Sequence, residues 1–109
     1  MPGISFQISQ DWLPDDVFWP AVDDLFEILI QLTPVDTGFA QSNWEYRQSS
    51  GGVEFYNDTP YISYLDEGWS DQAPNGMTEP ALDNFPGILK AYYNEWVSNN
   101  ADLAAQLPN

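Results

Sequence analysis

The sequence predicts an α+β fold in a single domain: a small antiparallel sheet, made of a hairpin and an N-terminal strand, packed against two main helices. Three observations predict it. Apolar residues recur at three- and four-residue spacing in two long segments, and they alternate with polar residues in three short ones. The elements follow in the order strand, helix, two strands, short helix, long helix, which suits an antiparallel sheet with helices on one face. Finally, 109 residues with 43% hydrophobic and 16% aromatic side chains are enough for one packed core without crosslinks.

Ile4, Phe6 and Ile8 alternate with Ser5, Gln7 and Ser9, a strand with one buried face. A punctuated stretch from Asp11 to Asp16 leads into a helix from about Asp16 to Leu32. Phe18, Val22, Leu25, Phe26, Leu29 and Leu32 form its apolar stripe, with Asp23, Asp24 and Glu27 on the other side. Pro20 either kinks this helix or marks its true first turn, and Thr33-Pro34 stops it. Asn43 to Ser49 alternates again, with Trp44 and Tyr46 on one face and Glu45 and Arg47 on the other. Ser49-Ser50-Gly51-Gly52 reads as a four-residue loop, after which Val53 and Phe55 alternate with Glu54 and Tyr56, completing a hairpin.

Asn57-Asp58-Thr59-Pro60 reads as the N-cap of a short helix from Tyr61 to about Glu67, which Gly68 ends in a left-handed conformation. Trp69 to Gly76 is a polar loop. Thr78 is the expected cap of the last helix, whose apolar face carries Leu82, Phe85, Leu89, Tyr92 and Trp96, joined by Ile88, Tyr93 and Val97. Pro86-Gly87 in its middle predicts a bend or a break. Residues 1–100 form the domain, and 101–109 read as a flexible tail or docking arm.

Composition excludes much chemistry. With no Cys and no His, there is no disulfide, thiolate nucleophile or His-ligated zinc, and no Ser-His-Asp or Cys-His hydrolysis. No apolar run of membrane-spanning length occurs, and the N-terminus lacks the basic and apolar regions of a signal peptide, so synthesis in the cytoplasm is expected. Seventeen carboxylates face one Arg and one Lys, a formal net charge of −15. Binding to a phosphate backbone needs cations that replace counterions. The charge therefore suits a protein that repels DNA lying beside it, one that mimics DNA, or one that is simply soluble.

The succession Thr33-Pro34-Val35-Asp36-Thr37-Gly38 and Ser42-Asn43-Trp44, then Tyr56-Asn57-Asp58-Thr59-Pro60-Tyr61, Tyr64-Leu65-Asp66-Glu67-Gly68 and Pro80-Ala81, resembles a family of tailed-bacteriophage neck and tail-completion proteins. The likeness covers about residues 16 to 98 in order and spacing. Where that family commonly carries a basic residue after the Gly, this chain has Phe39-Ala40-Gln41, and it is far more acidic. The resemblance implies a structural virion protein, not an enzyme. It would be one subunit of a homo-oligomeric ring, hexameric by analogy, at the phage head–tail junction. Its neighbours would be connector, stopper or tail-tube proteins, with DNA only as repelled passing cargo, no cofactor and no membrane.

Read from the residues alone, Pro34, Asp36, Thr37 and Gly38 are a structural turn: Asp36 and Thr37 can accept backbone N–H bonds and Gly38 can take positive φ. An aspartic-protease half-site at Asp36-Thr37-Gly38 would need a second Asp to share the proton, and the helix and Pro34 before it argue against a strand-borne site. Adjacent acids such as Asp15/Asp16, Asp23/Asp24 and Asp66/Glu67 read as solvated faces rather than a glycosidase pair. Asp66, Glu67, Asp71 and Glu79 could offer oxygen ligands to Ca²⁺ or Mg²⁺, without EF-hand spacing. The aromatics Trp44, Tyr46, Tyr56, Tyr61, Tyr64 and Trp69 are candidates for an interface, and Asp66, Glu67 and Asp71 for carboxylates lining a ring's lumen. The alternative function is an acidic DNA-mimic inhibitor of a host DNA-binding nuclease; a carbohydrate-binding aromatic platform is a third reading.

Overall fold

A computed structural model describes residues 3–35 and 38–106. Its elements are β1 (Ile4–Ser9), α1 (Asp15–Leu32), α2 (Phe39–Ser42), β2 (Trp44–Ser49), β3 (Gly52–Asn57), α3 (Ile62–Asp66), α4 (Thr78–Asn99) and α5 (Ala101–Ala104). The strands form one antiparallel sheet in the order β1-β3-β2. The fold is α+β, as the periodicity predicts.

β3 is central, hydrogen-bonded to β1 along one edge and to β2 along the other. Val53, Phe55 and Asn57 are fully buried, while β1 and β2 flank it with Phe6 and Tyr46 both opposite Phe55. The three rings stack across the sheet, Phe6 at 5.2 Å and Tyr46 at 5.4 Å from Phe55. Glu45, Arg47, Glu54 and Tyr56 fall on the opposite, open face, as their alternation requires. There Arg47 pairs with Glu54 at 2.7 Å and lies 4.8 Å over the Tyr56 ring.

The core is the meeting of this sheet with α1. Phe18, Ala21, Val22, Leu25 and Leu29 have no exposed surface, and each large one of them contributes about 1.5–3 kcal/mol by leaving water. α1 packs on β2, and α4 runs along α1 rather than lying on the sheet. Only Ala81 and Phe85 of α4 are buried. Beyond them Ile88, Leu89, Tyr92, Tyr93, Trp96 and Val97 are half-covered. This overhang agrees with a radius of gyration of 15.7 Å, against about 13 Å for a compact chain of this length.

Several expectations need correction. Pro20 does not open α1: the helix starts one turn earlier, where the Pro14 carbonyl accepts the N–H groups of Val17 and Phe18. Pro86-Gly87 does not break α4, because both residues face water, where the carbonyl that Pro86 leaves unbonded can be hydrated. The hairpin loop has two residues rather than four, since Ser49 already pairs with Gly52 and Gly51 turns the chain at φ 76°. Within the segment read as a tail or docking arm, residues 101–104 form a helical turn, and residues 107–109 lie outside the described residues.

Candidate functional site

Three of the segments that carry the sequence likeness, around Thr33, Asn43-Trp44 and Asn57-Thr59, converge on one joint between the end of α1, α2 and the hairpin. Pro34 is buried and Gly38 turns the chain into α2 at φ 71°; Asp36 and Thr37 lie outside the described residues. Thr33, only 1% exposed, is the first link. Its hydroxyl donates to the Leu29 carbonyl at 2.6 Å and accepts from Trp44 Nε1 at 2.7 Å, tying the end of α1 to the start of β2. Asn57 is the second. Its Nδ2 donates to the Ala40 carbonyl at 2.9 Å, and its Oδ1 accepts the Thr59 N–H at 3.0 Å. Asn43 Nδ2 then donates to Thr59 Oγ1 at 3.1 Å. The Asn57–Thr59 turn is therefore real, but it does not cap α3, whose first turn has no side-chain cap. It holds α2 against the end of β3.

α4 is capped in a way its own sequence conceals. Thr78 sits inside the helix with its hydroxyl buried and unpartnered. The capping oxygen comes instead from α3: Asp66 Oδ1 accepts the N–H groups of Met77 at 3.0 Å and Thr78 at 2.8 Å. Gly76, at φ 76°, lets the loop approach so closely that a Cβ there would lie 2.1 Å from the Asp66 carbonyl. Asp66 is thus a structural cap before it is anything else. Asp66→Ala should cost about 0.5–2 kcal/mol and lower the thermal midpoint by several degrees; an unchanged melting curve would remove this role.

Within or directly beside the segments of the likeness, several large apolar side chains face solvent. Trp69 is 70% exposed and its ring lies 4.7 Å from that of Tyr64. Tyr61 precedes α3, Phe39 opens α2, and Val35 is held beside the loop by its N–H bond to Gln72 Oε1 at 3.0 Å; all three are exposed as well. Tyr61, Tyr64 and Trp69 are therefore surface residues, as an interface needs. The other three candidates differ: Trp44 is buried, while Tyr46 and Tyr56 are half-buried. Trp44 is 2% exposed and belongs to the core, because its indole is needed against Thr33. Tyr46 is half-buried among Phe26 and Phe55, and Tyr56 lies under Arg47 on the far face of the sheet. Phe39 and Val35 escaped the sequence reading, since neither belongs to a periodic stripe and nothing local marks a residue as uncovered.

The carboxylates divide likewise. Asp66, Glu67, Glu79 and Asp83 line an open groove of about 580 Å³ between α3 and the start of α4, whereas Asp71 stands apart in the exposed loop. Among the described residues no three acids are close enough to hold a metal ion. Two acids on α1 are bound by phenols: Tyr46 donates to Asp23, and Tyr92 of α4 donates to Asp24 at 2.8 Å. The bond to Asp23, with burial second, pushes the Tyr46 pKa up to about 12, and the bond to Asp24 raises that of Tyr92. A pKa raised in the folded state gives stability that is complete below pH 10 and lost as pH rises through about 12. Spectrophotometric titration should accordingly show two tyrosines ionising late, and Asp23→Asn should bring one of them back toward pH 10. If all six ionised together, these bonds would not exist in solution.

No helix among the described residues is long and apolar enough to cross a membrane. No family model, no curated protein and no solved structure matches this chain.

Proposed function

We propose that the chain is a structural subunit of a ring at the head–tail junction of a tailed bacteriophage, in a neck, tail-completion or tail-terminator position. It joins the connector to the tail and lines the DNA passage. The observation that carries this reading is the exposure of Val35, Phe39, Tyr61, Tyr64 and Trp69, large apolar side chains that lie within or directly beside the family-like segments. A monomer gains nothing from leaving five such side chains in water, whereas a subunit that must touch neighbours does. Glu67 and Asp71, both exposed, are the carboxylates proposed for the lumen, where they repel passing DNA. Immunogold electron microscopy of virions encoding the chain tests the placement. Label at the junction supports it; intact virions without label, using an antibody shown to reach the neck, reject it.

The net charge of −15 favours a second reading, a DNA mimic that offers carboxylates where a nuclease expects phosphates. That reading requires salt-dependent competition with DNA for a nuclease, which a ring subunit would not show.

A further inference from the structure

The free edges of the sheet carry an inference about how copies of the chain join. Gln10 N–H bonds to the Gly51 carbonyl at 2.9 Å, continuing the β1–β3 register. In an antiparallel ladder bonded pairs alternate, so Ile8, Phe6 and Ile4 direct their backbone groups to β3. The backbone N–H and C=O groups of Ser5, Gln7 and Ser9 therefore point outward. The same alternation along β3 gives Arg47 and Glu45 to β3 and turns the backbone groups of Trp44, Tyr46 and Gln48 to the other edge. Among the described residues none of these outward backbone groups has a hydrogen-bond partner.

β1 also lacks the devices that keep an edge from pairing. It has no Lys, no Pro and no charge of any kind, in a chain with 17 acids. On its core face Ile4, Phe6 and Ile8 are only half-buried, because α1 covers the β2 side of the sheet. An arriving strand would complete both the ladder and this cover.

We propose that β1 of one copy pairs with β2 of the next, in parallel, so that the sheet continues from subunit to subunit; this rests on the ring reading above. β1 and β2 both run antiparallel to β3 and so share a direction. A parallel ladder joins residues whose side chains point to opposite faces. That is the relation between Ser5, Gln7 and Ser9, on the open face, and Trp44, Tyr46 and Gln48, on the core face. The helices of successive copies then stay on one side, as rotation about a single axis requires. Each contact uses two different edges, so the assembly can close into a ring. The charges agree: Glu45 and Arg47 of one copy meet only Ser5, Gln7 and Ser9 of the next. A two-fold β1–β1 contact would stop at a dimer and leave β2 open.

The absence of cysteine makes the test clean. Gln7→Cys is combined in turn with Glu45→Cys, Arg47→Cys and Ser49→Cys, covering registers two residues apart, and the purified protein is oxidised. Within one subunit β3 separates the two positions by about 9.5 Å, two strand spacings, too far for a disulfide. A bond must therefore join two copies. The expected result is a ladder of disulfide-linked oligomers from at least one pair, with each single variant monomeric. Dimers from Gln7→Cys alone, or monomers from all three pairs at every concentration, would overturn the proposal. The immunogold result is independent of it: junction label without a ladder rejects edge pairing alone, and a ladder without label rejects the placement alone.

Discussion

Trp44→Ala is expected to be the most damaging single substitution considered for this chain, at about 3–5 kcal/mol. The indole is buried at the start of β2, within the cluster that contains Leu25, Leu29 and Phe55. It also donates to Thr33 Oγ1, whose own proton goes to the Leu29 carbonyl. Truncation thus removes packing and a hydrogen bond together. A domain of this size has about 5–15 kcal/mol in all, so the variant should lose its near-ultraviolet signal or unfold at a urea midpoint lower by more than about 1 M. Trp44→Phe separates the two effects. It keeps most of the volume and drops only the donor, and Thr33 keeps its bond to Leu29, so the loss should be much the smaller. If the two variants proved equally unstable, the hydrogen bond and not the packing would be holding β2 to α1. If Trp44→Ala behaved like the wild type, Trp44 would be the surface residue that the sequence alone allows it to be.

That ambiguity shows what the sequence could and could not disclose. Alternation placed Trp44 on the same face as Tyr46, and Val53 with Phe55, because a strand's period is two whatever surrounds it. The stripe from Phe18 to Leu32 located α1 for the same reason. Such patterns identify the apolar face of an element without saying how completely a neighbour covers it. Trp44 and Tyr64 look alike in sequence, yet one is 2% and the other 40% exposed, because α1 overlies β2 while nothing described overlies the outer side of α3. A cap is invisible to local sequence where its partner is distant. Thr78 has the right residue type just before an apolar stripe, but Asp66 lies 11 and 12 residues away from the N–H groups it receives. Local propensity cannot register an oxygen supplied by another helix.

Asp23, Asp24 and Asp66 all look like members of a solvated acidic surface in a chain with so few cations. The structure engages each with a neutral donor: a phenol for Asp23 and Asp24, and backbone N–H groups for Asp66. Neutral donors let a protein with one Arg and one Lys hold its carboxylates in place without ion pairs, and they leave the overall negative field intact. In the proposed ring that combination would let the repulsion persist while the helices stay docked.

Asn57 is the second position where a large effect is expected. It is fully buried and bonds in both directions, to Thr59 N–H and to the Ala40 carbonyl. Asn57→Ala leaves the Thr59 N–H without its acceptor. The Ala40 carbonyl fares better, since it still receives the Asn43 N–H. A loss of about 2–3 kcal/mol follows from one fully unsatisfied buried donor and one weakened acceptor. Asn57→Asp should be worse at neutral pH although it is isosteric. It restores the acceptor for Thr59 but points a second oxygen at the Ala40 carbonyl, and it buries a charge. Burial and the facing carbonyl would raise the folded-state pKa of this introduced carboxyl above its unfolded value of about 3.9. The deficit relative to wild type should then shrink as pH falls, because the protonated acid can donate to Ala40 as the amide does. Paired urea melts of wild type, Asn57→Ala and Asn57→Asp between pH 4 and 7, where native carboxylates titrate equally in all three, would measure it. A pH-independent gap between wild type and Asn57→Asp would mean that the joint has opened to water, and that the convergence of α2 and β3 does not depend on this side chain.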